Sequence, residues 1–359
     1  MTLSISPFPP TPYLAVDAGI VERNLAAMAD KASARGLALR PHAKTHKVVE
    51  LAQRQIGLGA VGLTVATVGE AEVFAQSGIA DIFIAFPVWA DGNKGSRLAA
   101  LADNLILTVG VDSADGARQL AAATAGSAVN VLIEIDSGHH RSGTAPEDAG
   151  RVALAAAGAG LAVRGVFTFL GHGYGPGEQG RAAADESRSL AAAAAGLAAV
   201  GLSPEVISGG STPTAEAADA SILTELRPGV YLFNDAQQLE MGTCGWDDVG
   251  LWAVSTVVSR HGVDAVLDAG SKTLGADRPA WTTGAGRLLD FPDARVTALS
   301  EHHATVRFPD GATVPALGEQ LRLVPNHVCA AVNLADELTV LVDGAAADTW
   351  RVAARGRNG

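Results

Sequence analysis

The densest group of reactive side chains lies between Arg40 and Lys47, in the sequence RPHAKTHK. The chain has only five lysines, and two of them, Lys44 and Lys47, are in this segment. A lysine that is partly desolvated among other cations can condense with an aldehyde. A basic surface loop would have the same composition, so this segment alone leaves both interpretations open.

Of four further polar or glycine-rich segments, three follow expected strands and the fourth, Arg227–Tyr231, forms the expected eighth strand. They contain Arg141 in DSGHHRSG, His172 and Tyr174 in GHGYG, the run Ser208–Thr212, and the run Arg227–Tyr231. Glycine-rich turns after late strands can present backbone N–H groups to a phosphate, with Ser and Thr hydroxyls completing the shell. Each segment alone is weak evidence. Together they predict a phosphate-bearing cofactor beside a lysine.

A second candidate site is the pair His327 and Cys329 in PNHVC. On a strand, residues two apart point to the same side, so the imidazole and the thiolate could converge on one ion. These ligand types suit zinc. From spacing alone, packing is the more common explanation. Two ligands also leave an incomplete site, so water or substrate must fill the other positions.

Strands that alternate with Ala-rich helical segments must position these side chains. We expect eight strands in the first part of the chain, near residues 37–40, 60–66, 81–86, 105–111, 130–136, 162–170, 205–208 and 227–231. Such alternation implies a parallel sheet, and eight units predict a closed (β/α)8 TIM-like barrel whose active site lies at the carboxyl ends of the strands. An open doubly wound sheet stays possible, because periodicity cannot detect closure.

Beyond about residue 236 the pattern changes to short strands bounded by Gly, Pro, Asp or Asn, which is typical of an all-β domain. We therefore expect a cofactor-binding barrel over residues 12–235 and a smaller C-terminal β domain over 236–359. The N-terminal segment 1–11 is expected to join the β domain, which could also share a strand near Tyr13–Val16.

Composition narrows the class of protein. The formal net charge of -12 gives no electrostatic advantage on phosphate backbones or anionic lipid, so we expect neither nucleic acid nor a membrane as partner. No apolar run approaches the ~20 residues that span a bilayer. The only cysteines are Cys244 and Cys329, too few for a disulfide framework, which favours a cytoplasmic protein.

Taken together, the motifs resemble those of the D-serine dehydratase and D-threonine aldolase family, a branch of the alanine-racemase-like (fold-type III) pyridoxal-phosphate enzymes. The segments RPHAKTHK, DSGHHRSG, SGGSTPT, ELRPGVY and PNHVC all match in the family's order. The resemblance runs from about Thr11 to the C-terminal end, and the combination of motifs is far more specific than any one of them.

The resemblance implies a role for each matching residue. Lys44 should hold pyridoxal 5'-phosphate as a Schiff base and move protons at Cα, with Lys47 as the runner-up. Arg141 should contact the phenolate oxygen of the cofactor ring, and Tyr174 should lie near its nitrogen. The phosphate should be held by hydroxyls and backbone amides, and the expected set is Gly210, Ser211, Thr212, Gly229, Val230 and Tyr231.

The family also implies a divalent metal near the cofactor, held by His327 and Cys329, most readily zinc, with manganese as an alternative. His303 matches a histidine that the family has after an acidic pair, and we expect it to be catalytic. His302 replaces one of those acids here, which puts the role of the pair in doubt. Asp268 and Lys272 match another family segment, although a salt-bridged turn explains them equally well. Relatives assemble as homodimers, so a homodimer is expected.

These implications predict a lyase acting on D-3-hydroxy amino acids. Cys329 favours dehydration of D-serine to pyruvate and ammonia, because the dehydratase branch pairs histidine with cysteine. D-threonine aldolase activity, giving glycine and acetaldehyde, is the alternative. Racemisation is disfavoured, because no tyrosine follows Tyr231 to act as the base from the β domain. A non-catalytic amino-acid or cofactor sensor is the alternative of another class.

Overall fold

The computed structural model describes residues 8–359. The chain forms two compact units, which we call the barrel unit and the β unit. The barrel unit comprises Ala27–Lys44, Val49–Gly229 and Arg357–Gly359, and the β unit comprises the described residues up to Ala26, Thr45–Val48 and Val230–Gly356. The predicted division after residue 235 stays a prediction. Residues 1–7 of the segment that we expected to join the β domain lie outside the described residues.

The chain begins with strand β1 (Tyr13–Asp17) and helix α1 (Ala18–Ala34). Eight parallel strands follow: β2 (Ala38–Leu39), β3 (Leu63–Val65), β4 (Asp81–Pro87), β5 (Ile106–Val111), β6 (Val129–Glu134), β7 (Ala162–Phe167), β8 (Val206–Gly209) and β9 (Glu225–Leu226). Their order in the sheet is β2-β9-β8-β7-β6-β5-β4-β3. Each strand therefore lies beside its neighbour in the chain, except that β2 pairs with β9.

Backbone hydrogen bonds also join the two ends of this order. Val61 N–H donates to Leu39 O and Thr64 N–H donates to Pro41 O, both at 2.9 Å, and a parallel bridge links His42 with Thr64. An open doubly wound sheet has no such closure. The predicted TIM-like barrel is therefore confirmed.

Between these strands lie helices α2 (Val49–Gly57), α3 (Val68–Gln76), α4 (Gly92–Ala102), α5 (Ala114–Ala123), α6 (Ala149–Gly158) and α7 (Gln179–Ala199). Alanine, the best helix former, supplies much of α6 and α7. Two helices start at side-chain caps: Thr67 accepts from the Glu70 N–H, and Ser113 accepts from the Gly116 N–H. Local sequence therefore fixes where these helices begin.

Large apolar side chains fill part of the barrel interior. Phe83 on β4 and Phe167 on β7 are buried and meet edge to face, with ring centroids 4.9 Å apart. Leu132 on β6 packs with them. Such aromatic pairs contribute about 0.5–1.5 kcal/mol beyond the area they bury.

The eighth strand lies earlier than the sequence predicted. We expected it over 227–231, but β9 is Glu225–Leu226, and Val230–Leu232 forms a 3-10 turn. Pro228 has no N–H and cannot donate to a sheet ladder, so pairing ends before it.

The β unit contains strands β10 (Leu251–His261), β11 (Asp264–Leu267), β12 (Gly286–Leu288), β13 (Arg295–Leu299), β14 (Ala304–Arg307), β15 (Gln320–Pro325), β16 (Glu337–Val342) and β17 (Ala345–Arg351). Helices α8 (Ala236–Met241), α9 (Ser271–Leu274) and α10 (Val328–Leu334) connect some of them. In the sheet, β1 pairs antiparallel with β10 and parallel with β16. The other pairs are antiparallel. The predicted C-terminal β domain is therefore confirmed.

The β unit has its own core, in which Trp252 on β10 packs with Ala15, Val324 and Leu341. Among residues 8–359, no helix combines the length and the apolar character that are needed to cross a bilayer.

Candidate active site

Lys44 lies in a 3-10 turn, Ala43–Thr45, just beyond the carboxyl end of β2. The backbone before it is held on both sides, since the His42 N–H donates to Pro228 O at 2.9 Å and Thr64 Oγ1 donates to Arg40 O at 2.9 Å. Lys44 is therefore presented at the end of the barrel where this fold places its active sites.

One aromatic ring, that of Phe169, brings the predicted cofactor residues together. Lys44 Nζ lies 5.4 Å from the ring centroid and Arg141 Cζ lies 5.1 Å from it. The rings of His139 and Tyr174 are 5.7 Å and 6.1 Å away. The structure thus groups Lys44, Arg141 and Tyr174, as the motifs predicted. It adds Phe169 and His139, which our sequence reasoning did not single out.

His139 packs directly over the backbone of Gly171. A Cβ atom at position 171 would come within 2.5–2.6 Å of three atoms of the His139 ring, so any larger residue would have to displace that ring. Burial, and then the positive charges of Arg141 and His172, lower the pKa of His139 below its ordinary value. A neutral imidazole therefore lies beside the guanidinium of Arg141. His172 itself lies 3.4 Å from Asp185, measured from Nε2 to Oδ2.

The loop after β8 is the predicted phosphate site. Gly210 has a left-handed backbone, with φ of 74°, and Ser211 and Thr214 are buried. The Ser211 N–H donates to Thr214 Oγ1 at 3.0 Å, and the two hydroxyl oxygens are 2.9 Å apart. Thr214, which the sequence analysis did not select, therefore fixes the loop that carries Ser211 and Thr212.

Behind this loop lies Glu186 of α7, which is fully buried. Its Oε1 accepts the Gly210 N–H at 2.7 Å, so the amide that we expected to contact a phosphate is already hydrogen-bonded to a carboxylate. Burial raises the pKa of Glu186 to about 7. The remaining expected phosphate residues, Gly229, Val230 and Tyr231, follow β9 at the start of the 3-10 turn, where the first N–H groups have no partner within the turn.

A buried polar network holds the strand ends that carry these loops. Arg227 donates to Ser208 Oγ and to the backbone oxygen of Thr168, the residue before Phe169. Ser208 Oγ donates to Glu225 at 2.5 Å, and Arg40 Nε donates to the same carboxylate at 2.7 Å. This network fixes the point at which β7 leads into Phe169.

His327 and Cys329 lie in the β unit, but not on a strand as we expected. Strand β15 ends at Pro325, and His327 is the N-cap residue of α10, so Cys329 is in the first turn of a helix. Pro325 closes the ladder because it cannot donate. The two side chains still meet, because they are close enough to hydrogen-bond.

The surroundings of this pair are those of a metal-binding histidine. His327 Nδ1 is 3.5 Å from Asp235 Oδ2, and the buried Asp235 is itself fixed by the N–H groups of Val328 and Gln238. A carboxylate at one ring nitrogen leaves the other nitrogen for an ion. Cys329 and then Asp235 hold the pKa of His327 well above its ordinary value, against the effect of burial.

The donor set therefore fits a divalent ion that takes two protein ligands. No group of three or more His, Cys, Asp or Glu side chains that could hold a metal occurs within residues 8–359. Cys329 Sγ also contacts Thr45 Oγ1 at 3.2 Å.

The other candidate residues have different surroundings. Lys47 Nζ donates to Asn333 at 2.7 Å inside the β unit, which makes it a poorer candidate for the Schiff base than Lys44. Asp268 accepts from Thr11, Ser255 and Thr256, so it organises the start of its sheet. Lys272 pairs with Glu301 at 2.7 Å. His303 is exposed in the turn between β13 and β14, and its catalytic role stays a prediction.

The barrel site also fits pyridoxal phosphate. A lysine amine and a guanidinium share one aromatic ring, and a glycine-rich loop with buried hydroxyls follows a late strand. These are the parts that a phosphorylated aldehyde needs.

Comparisons with known proteins agree with the interpretation of the barrel site as one that fits pyridoxal phosphate. Residues 16–237 match the family model described as "Alanine racemase, N-terminal domain", and residues 250–341 match the one described as "Putative serine dehydratase domain". The two matches define the class: an alanine-racemase-like fold of the pyridoxal-phosphate (fold-type III) type. More particularly, the chain belongs to the family of D-threonine aldolases and D-threo-3-hydroxyaspartate dehydratases.

Individual relatives cover nearly the whole chain. The D-threonine aldolase of Arthrobacter sp. is 37% identical, over 96% of this chain and 93% of the relative. The D-threo-3-hydroxyaspartate dehydratase of Delftia sp. (strain HT23) is 35% identical, over 95% of this chain and 96% of the relative. The crystal structure of D-threonine aldolase from Filomicrobium marinum superposes with a TM-score of 0.88 at 33% identity, covering 97% of this chain and 96% of that one.

Proposed function

We propose that this protein is a pyridoxal-phosphate- and metal-dependent lyase that acts on D-3-hydroxy amino acids, and that its favoured reaction is the dehydration of D-serine to pyruvate and ammonia. The observation that carries the proposal is the grouping of Lys44 and Arg141 over the ring of Phe169. Membership of the family supports the cofactor. The names of the relatives, D-threonine aldolase and D-threo-3-hydroxyaspartate dehydratase, support the substrate class.

Each residue of the barrel site has a role in this proposal. Bound pyridoxal phosphate supplies an electron sink that weakens the bonds at the substrate Cα. Lys44 would hold the aldehyde carbon and take the proton from Cα. Arg141 would donate to the phenolate oxygen, and Tyr174 would lie near the ring nitrogen. The hydroxyls of Ser211 and Thr212 would bind the phosphate.

The pair in the β unit would provide the second part of the chemistry. His327 and Cys329 would hold a divalent ion, which would supply Lewis-acid chemistry toward the substrate hydroxyl group. Imidazole with thiolate favours zinc, and manganese is the alternative. One solved structure of a D-threo-3-hydroxyaspartate dehydratase is a cysteine-to-alanine mutant in the metal-free form, which supports a link between a cysteine and a metal in that relative.

Retro-aldol cleavage is the second candidate, because the Arthrobacter relative is named D-threonine aldolase. The two reactions differ in the bond that breaks after the hydroxyl group is polarised. Dehydration breaks the bond from Cβ to the hydroxyl oxygen, and retro-aldol cleavage breaks the Cα–Cβ bond.

We also propose that the protein is a homodimer, which sedimentation would test.

A product assay tests the proposal. Purified protein with pyridoxal phosphate and zinc or manganese is incubated with D-serine, D-threonine or D-3-hydroxyaspartate. Keto acid and ammonia are the expected products, whereas glycine and an aldehyde would establish the aldolase instead. No turnover of any D-3-hydroxy amino acid despite bound cofactor would refute both reactions and favour the sensor.

The lysine assignment is tested by spectroscopy. The variant Lys44→Ala should lose the visible absorbance of the protein-bound cofactor, and Lys47→Ala should keep it. The opposite result would show that Lys47 holds the cofactor.

A further inference from the structure

Glu186 is a fully buried carboxyl group with no role in the chemistry above. Oε1 accepts the Gly210 N–H at 2.7 Å, while Oε2 is buried without a hydrogen-bond partner among residues 8–359. The positive charge of the Arg227 guanidinium, after the Gly210 hydrogen bond, partly offsets the effect of burial on the pKa of Glu186. A buried carboxyl group with an unsatisfied oxygen costs stability, and an apolar side chain of similar size would fill the space at lower cost.

The contact of Glu186 lies at the turn on which the proposed phosphate site depends. Gly210 has a φ of 74°, and a Cβ there would come within 2.6 Å of Leu226. The next amide, that of Ser211, is held by Thr214 at 3.0 Å. Two consecutive N–H groups of the loop are therefore fixed by side chains of the barrel unit, one from α7 and one from the loop itself.

We propose that Glu186 is a positioning residue for the phosphate loop Gly209–Thr212: it holds the left-handed turn at Gly210 from behind, so that Ser211 and Thr212 are presented to the phosphate of the cofactor. This inference rests on the proposed function, since it assumes a phosphorylated cofactor. It assigns Glu186 no contact with the cofactor. Because burial raises the pKa of Glu186 to about 7, a proton on the carboxyl group limits the negative charge behind an anion.

The test separates recognition of the phosphate from binding in general. Dissociation constants for pyridoxal 5'-phosphate and for pyridoxal, which lacks the phosphate, are measured by absorbance titration of cofactor-depleted protein. In Glu186→Met the constant for pyridoxal phosphate should rise roughly tenfold, a usual effect of losing a residue that orients a ligating group, while that for pyridoxal should change less than about twofold. In Glu186→Gln the dissociation constants for both compounds should remain within about threefold of the wild-type values, since the amide oxygen of glutamine can still accept from the Gly210 N–H.

Two further variants keep the result interpretable. Glu147→Met, at an exposed glutamate, should bind both compounds as the wild type does. If Glu186→Met does not fold, Glu186→Asp provides the same comparison, because its shorter side chain cannot reach Gly210. Equal weakening of the binding of both compounds would overturn the inference. Wild-type dissociation constants in folded Glu186→Met and Glu186→Asp proteins would also overturn it. A wild-type protein that binds neither compound would instead refute the proposed function.

Discussion

Replacing Glu186 by glutamine should change how the stability of this protein depends on pH. Burial raises the pKa of the Glu186 carboxyl group to about 7, from an ordinary value of 4.5. Each pH unit of that difference corresponds to about 1.4 kcal/mol, so ionising the buried group costs about 3 kcal/mol. Glutamine carries no ionisable proton and avoids this cost.

The sign follows from proton binding. Between pH 4.5 and 7 the folded protein keeps the Glu186 proton, whereas the unfolded chain has lost it. Stability therefore falls as the pH rises through this range, and it levels off above the folded pKa. The wild type should lose about 3 kcal/mol relative to Glu186→Gln between pH 4.5 and 8. Glu134, whose pKa is also raised by burial, is present in both proteins, so its effect cancels in the difference.

Scanning calorimetry of both proteins at several pH values measures the effect. For a cooperative unit of 150–250 residues, 1 kcal/mol shifts Tm by about 2–4 °C, so the difference in Tm should change by about 6–12 °C in favour of glutamine as the pH rises. A difference in Tm that stays constant from pH 4.5 to 8 would show that the carboxyl group ionises as in the unfolded chain. The reasoning about its burial would then be wrong.

Three further substitutions test other parts of the site. Cys329→Ala should lower bound metal and activity together, measured by elemental analysis and product assay, whereas Cys244→Ala should leave both unchanged; full activity without metal would contradict the metal role. Phe169→Leu removes the ring shared by the two cations and should weaken cofactor binding about fivefold, from a contribution of about 1 kcal/mol; unchanged titration curves would refute this. Gly171→Ala should displace the His139 ring, because the added Cβ would lie 2.5–2.6 Å from it. The protein should stay folded and kcat should fall at least tenfold. A wild-type kcat would show that the ring can move without loss of activity.

Much of the fold could be predicted because it depends on local signals. Apolar runs of strand length alternate with Ala-rich segments, and each of the eight predicted strands has a counterpart in the barrel. The strand boundaries were predicted wrongly where a proline ends the pairing. Pro228 ends pairing before the predicted eighth strand, and Pro325 ends β15 before His327. Both segments are apolar enough to suggest strands, so composition alone places the boundary too late.

The candidate site was predictable only where a residue type carries chemistry by itself. Lys44, Arg141 and Tyr174 are rare or charged side chains in distinctive motifs, and the structure groups them. Phe169 lies within the strand that we predicted over residues 162–170, where a phenylalanine is ordinarily a packing residue, so nothing in the sequence singled it out. Glu186 gives no local signal, because a glutamate in a long helix normally faces solvent, and only the folded chain shows that it is buried.

The buried polar groups also explain how a site made of loops can be rigid. Phe169 lies in a loop, yet the residue before it, Thr168, donates through its hydroxyl to Ile135 O at 2.6 Å and accepts through its carbonyl from Arg227. Arg227 in turn bonds Ser208, the penultimate residue of β8, so one guanidinium joins the ends of two strands. Ile135, Thr168 and Arg227 each lie one residue beyond the end of a strand, so the network stands at the strand ends rather than within the longer loops. The network therefore holds the start of the loop that carries Phe169, so the ring that Lys44 and Arg141 share keeps a fixed position in the barrel unit.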